Sequence, residues 1–84
     1  MYQTTTSNVD QKKDEGYIRF TNIGSHHQIV LDGVVIGTGD AYSDGGQLGV
    51  TPGTHEIEIR ESGIVRLKQK VYIGTGSTRT IDVR

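Results

Sequence analysis

Cysteine and tryptophan are absent from this 84-residue chain, proline and phenylalanine occur once each, and no apolar run exceeds three residues. Each absence excludes something. Without cysteine there are no disulfides, no thiol nucleophile and no thiolate metal site. Aromatic residues make up 6% of the chain, which leaves little to line a deep ligand cavity once a core has been built. Such a core is thin in any case, because a domain of this size buries only about 60–65% of its unfolded surface. No segment approaches the ~20 apolar residues that a membrane-spanning helix needs. The first residues also lack the pattern of a signal peptide, so export would require one upstream of Met1. Charge of one sign is lacking too. The formal net charge is −1, whereas a general nucleic-acid binder carries a strong basic excess, so nucleic acid is not an expected partner.

What is present is short alternation broken by turn residues. Residues 1–15, "MYQTTTSNVDQKKDE", have no apolar period and read as a disordered tail or tether. Residues 16–84 read as one β-domain. "YIRFTN" places Ile18 and Phe20 on one face. "QIVL" and "VVIG" flank Asp32-Gly33, a strong hairpin signal because glycine takes positive φ without penalty. Register within this hairpin stays open, and the apolar residues on both faces suggest burial on both sides. Pro52-Gly53 marks a turn into "HEIEIR", with Ile57 and Ile59 inward. In "IVRLKQKVYI" the inward set is Val65, Leu67, Val71 and Ile73. A three-residue loop, Glu61-Ser62-Gly63, would set Ile59 opposite Val65 and Ile57 opposite Leu67. It would also set Glu58 opposite Arg66 and Glu56 opposite Lys68, with Gly63 in the left-handed position. "RTIDVR" closes the domain with Ile81 and Val83 inward. No helix of normal length fits. The predicted fold is an all-β, Ig-like or prealbumin-like sandwich of six to seven short strands.

The glycine-rich stretch between Ile36 and His55 invites chemical readings. As a nucleotide loop it supplies G-x-G at Gly37 and Gly39. Tyr42 then stands where a third glycine belongs, and no helix follows to complete a phosphate site. As a helix-flanked calcium loop it matches at Asp40, Asp44 and Gly45 but fails at Tyr42 and Thr51. Another calcium geometry, using Asp40, Asp44 and carbonyl oxygens, stays open beside the plainer reading of both aspartates as turn formers. His26 and His27 are adjacent and would point to opposite faces of a strand; in a loop they could chelate, with His55 as a third ligand if the fold brought it near. The serines at 25, 43, 62 and 77 lie in turns and lack a nucleophile-elbow context. Glu56 and Glu58 share a face, but exposed cross-strand pairing with Arg66 and Lys68 accounts for them. Arg66, Lys68, Lys70 and Tyr72 form a basic stripe that those glutamates partly cancel. The residues therefore point to no catalytic group, cofactor or metal. Asp40, Tyr42 and Asp44, in the 39–47 loop, remain as a contact loop without a structural duty.

Five segments taken in order resemble the PEGA domain, a small β-sandwich module of bacterial and archaeal envelope proteins: "YIRFTN", "IVLDG", "IGT", "TPGTHEIEIRESG" and "GSTRTIDV". The tetrapeptide that names the family is missing, with "GSHH" in its region. Ile64 stands where a tyrosine is usual, and "GDAYSDGGQ" replaces a short link. The resemblance implies a non-catalytic module that binds a protein or an envelope component. It also implies a cell-envelope location, with the first fifteen residues as a spacer after a lipidated cysteine upstream of the chain. Two alternatives belong beside it. One is a carbohydrate- or calcium-binding module using Tyr17, Tyr42 or Tyr72 and the loop aspartates; the other is a structural component of a phage or secretion assembly.

Overall fold

The computed structural model describes residues 14–42 and 46–84. Residues 1–13, most of the expected tail, and Asp44 of the expected contact loop lie outside the described residues. Seven strands follow in order: β1 (Gly16–Thr21), β2 (Gln28–Leu31), β3 (Val34–Thr38), β4 (Gln47–Val50), β5 (Gly53–Glu61), β6 (Ile64–Ile73) and β7 (Thr78–Asp82). One 3-10 turn, Gly39–Ala41, lies between β3 and β4. The strands form a three-stranded sheet in the order β4-β1-β7 and a four-stranded sheet in the order β3-β2-β5-β6. The fold is the all-β sandwich that the alternation predicts.

The core lies between the sheets and is built from inward positions of both. Ile18, Phe20, Val50 and Ile81, with Val83 just past β7, face Ile29, Ile57, Ile59, Val71 and Ile73. Burying each of these side chains fully contributes about 1.5–3 kcal/mol. β1 is the middle strand of its sheet, antiparallel to β4 and parallel to β7. The parallel ladder extends through a hydrogen bond from the Val83 amide to the Thr21 carbonyl, 2.9 Å.

Both hairpin turns place two consecutive residues at positive φ: Asp32 (51°) and Gly33 (86°), then Ser62 (51°) and Gly63 (81°). This is the signature of the two-residue I′ turn, whose twist matches that of the flanking strands. The 61–63 loop is therefore corrected. Glu61 pairs with Ile64 across a two-residue turn, and a bulge follows, so Arg60 pairs with Val65 and Ile59 with Leu67. Arg66 is the extra residue; the shorter turn and this bulge each shift the expected pairing by one position, two in all. Glu58 lies opposite Lys68, and Glu56 opposite Lys70. Val65, expected inward, points outward and is exposed. Glu58 is not an exposed cross-strand partner either: it is 9% exposed and bonded to Arg60 on its own strand.

The first hairpin also departs from expectation. In β2, Ile29 and Val30 are both buried although they face opposite ways. In β3, Val34 and Val35 are exposed, because β3 is an edge strand. A register shift between Ile29 and Val30 leaves Val30 paired with Val35 and Ile29 with Gly37.

Candidate functional site

Three places hold the chemistry. The first joins the β2–β3 turn to the start of β5. His55 lies inward on β5, almost fully buried. Its Nδ1 is 2.6 Å from Asp32 Oδ2, and its Nε2 is 2.6 Å from the Thr51 carbonyl oxygen. A carbonyl only accepts, so Nε2 carries a proton; the carboxylate is ionised, so Nδ1 carries the other. The geometry calls for the imidazolium. The Asp32 hydrogen bond, then the Thr51 carbonyl, raise the His55 pKa above its ordinary value. Asp32 is shifted down, first by the Glu56 backbone N–H that its Oδ1 accepts at 2.8 Å, then by His55. Thr51 Oγ1, 3.5 Å from Nε2, completes an outline of a Thr-His-Asp triad. The outline does not work as one. With its Nε2 proton held by a carbonyl, the ring has no lone pair with which to deprotonate the hydroxyl. The cluster is a staple between a turn and a strand.

The second place lies at the other end of the four-stranded sheet, where residues 22–27 cross above the 3-10 turn. His27 Nδ1 accepts the Gly24 N–H at 2.8 Å, so Nε2 carries the proton and faces Glu61 Oε1 at 3.4 Å. His26 Nε2 faces Glu61 Oε2 at 3.1 Å. Hydrogen bonds from His26 and then His27, with Arg66 nearby, hold the Glu61 carboxyl below the usual range. Two imidazoles on one carboxylate suggest a metal, but His27 could ligate through Nε2 only by giving up its bond to Gly24. Among the described residues no group of three or more His, Cys, Asp or Glu is placed to hold a metal ion. His55 belongs to the first cluster, so the fold does not bring the three histidines together. Beside His26 lies an open polar depression of about 580 Å³, lined also by Ser25, Gln28, Thr38, Asp40 and the 62–63 turn. The Asp40 carboxylate there takes the Thr38 hydroxyl. Gly39 is the point of closest approach in this region: it is buried, and a Cβ would run into the Gly24 carbonyl. Its amide and that of Asp40 donate to the carbonyls of His27 and Ser25 at 2.9 and 3.1 Å. The second glycine of the G-x-G thus serves loop packing, while Gly37 lies within β3.

Tyr42, the aromatic of the expected contact loop, is half-buried, with its ring edge-on to Phe20 at 6.1 Å. Tyr17 is half-buried on β1, and Tyr72 is exposed on β6. Asp32, Gly33 and Gly63 occupy the two hairpin turns; Pro52 lies in a bend, and Gly53 opens β5 at φ 132°. Sequence reading missed the pairing of His55 with Asp32 and of His26 and His27 with Glu61, because these contacts are brought together by tertiary folding rather than by local spacing.

The third place is the β6 edge. β6 is ten residues long and, among the described residues, pairs only with β5. Through its first seven residues only Leu67 is even half-buried. Gln69 pairs with Ile57 and shares its inward face, yet it is exposed. The four-stranded sheet therefore overhangs the three-stranded one here. Among the described residues no helix is long and apolar enough to cross a membrane. Compared with protein-family models, with curated proteins and with solved structures, the chain matches none.

Proposed function

We propose that this chain is a non-catalytic binding or scaffolding module, tethered at a bacterial cell envelope, that holds a protein partner along an exposed sheet edge. One observation carries the contact surface: among the described residues no strand pairs with the outer side of the long β6. Such an edge offers a row of backbone donors and acceptors to an added strand. The histidine clusters support the non-catalytic part, since their ring protons are committed to backbone carbonyls and carboxylates. The envelope location rests on the resemblance to PEGA domains.

The test is selection of extended peptides from a displayed library, followed by mapping on the isotope-labelled chain. Selected peptides should perturb the amides of residues 64–71. Ligands that map only to the depression beside His26 would replace this reading with a small-ligand module. A gene that encodes a signal sequence and a lipidated cysteine upstream of Met1 supports the location; one that encodes neither removes it.

A further inference from the structure

We infer that the outer edge of β6 takes an extended protein segment in which acidic and apolar residues alternate. This rests on the reading of β6 as a docking edge and adds the chemistry of what docks there.

The cations on this edge are underused. Arg66, Lys68 and Lys70 are all exposed. Among the described residues neither lysine has a carboxylate within 4 Å, and Arg66 reaches only Glu61, at 3.7 Å. Glu58, opposite Lys68, is held by Arg60 instead. Lys68 and Lys70 point away from the core, while Leu67 and Gln69 share the faces of Ile59 and Ile57. A strand added to β6 alternates in the same way. Its outward residues would lie beside the lysines, and its inward residues would cover Leu67 where the smaller sheet does not reach.

The inner neighbour of β6 shows which pattern fits. β5 sets Glu56 against Lys70, Ile57 against Gln69, Glu58 against Lys68 and Ile59 against Leu67. A second strand of acidic–apolar alternation on the free side would repeat that match. A second copy of β6 would not. Antiparallel pairing about Lys68 would set Lys68 against Lys68 and Arg66 against Lys70, and directly opposed like charges destabilise a sheet pair. The basic edge thus discourages self-association while favouring an acidic strand.

The experiment titrates the isotope-labelled full chain with a capped heptapeptide alternating Glu and Ile, and with its counterpart alternating Lys and Ile. The Glu–Ile peptide should shift amides within residues 64–71, with affinity falling several-fold as salt is raised. The double variant Lys68→Glu, Lys70→Glu sets carboxylates opposite Glu58 and Glu56, so it should melt below the parent, and its far-ultraviolet circular dichroism should match the parent's at the titration temperature. Its preference should reverse toward the Lys–Ile peptide. Equal binding of both peptides at β6 would overturn the acidic partner and leave the docking edge standing. Binding of the Glu–Ile peptide at β3 or β7, or no binding of any extended peptide at β6, would overturn both. Shifts at β6 that depend on protein concentration alone would assign the edge to a second copy and overturn the inference.

Discussion

At the scale of single residues, the His55–Asp32 staple is the feature with the clearest consequence. The folded state holds the His55 proton more tightly than the unfolded chain does. That stability is fully present below the unfolded value near 6.5 and is lost as pH rises through the raised folded value. Asp32 works in the opposite sense: its contribution is present above about 3.8 and is lost as pH falls through the lowered folded value. The pair therefore contributes most between those limits. The urea midpoint should fall between pH 6 and pH 8.5, and His55→Phe should remove that fall while lowering stability at pH 6. Asp32→Asn keeps an acceptor for the Glu56 amide and tolerates positive φ, so it isolates the charged contact. It should cost about 1 kcal/mol at pH 6, because Asp32 is half-exposed and part of its charge is already solvated. None of this was legible in the sequence. "TPGTH" and "LDG" each read as turn chemistry, and nothing local says that a turn aspartate caps a strand 24 residues on.

At the scale of elements, the alternating strands and the glycine turns were legible, while the register of β5 against β6 was not. The reason is the period of two. Matching Ile59 to an apolar partner is satisfied by Val65 and equally by Leu67, and a bulge absorbs the odd residue between them. Charge matching was no better a guide, since Glu58 finds its cation two residues along its own strand. The I′ turn makes its own prediction. Asn-Gly is the preferred pair for two consecutive positive φ angles, so Ser62→Asn should raise stability by about 0.5 kcal/mol. Gly63→Val places a β-branched residue at φ 81° and should lower it by 1 kcal/mol or more, roughly. Thermal melts of the two variants against the parent would check both signs. A gain from Gly63→Val would contradict the turn assignment.

At the scale of the whole molecule, the core is the margin on which the fold stands. Ile57 has no exposed surface and lies at the centre of the larger sheet. Ile57→Ala should cost about 2–5 kcal/mol. Against a typical total of about 5–15 kcal/mol, that is enough to leave much of the population unfolded near body temperature. Far-ultraviolet circular dichroism through a urea series would read it. The inward residues were legible almost throughout, because alternation marks them wherever a strand has one wet face. Alternation failed for Val30, buried on the outward face of a middle strand, and for Val34 and Val35, apolar on an open edge. The candidate contact surface was hidden for a related reason: a strand's position within a sheet is set by pairings far apart in the chain.

The parallel pairing of β1 with β7 sets how the module carries load. Tyr17 lies beside Thr78 and Thr21 beside Asp82, so the chain enters at one end of this pair and leaves at the other. A pull between Gly16 and Arg84 runs along both strands in opposite directions. The hydrogen bonds between them are then sheared together rather than opened one by one. A domain strung between two anchors would resist extension as a unit. Single-molecule pulling from residues 16 and 84 should give a markedly higher rupture force than pulling from 33 and 63, at the tips of the two hairpins.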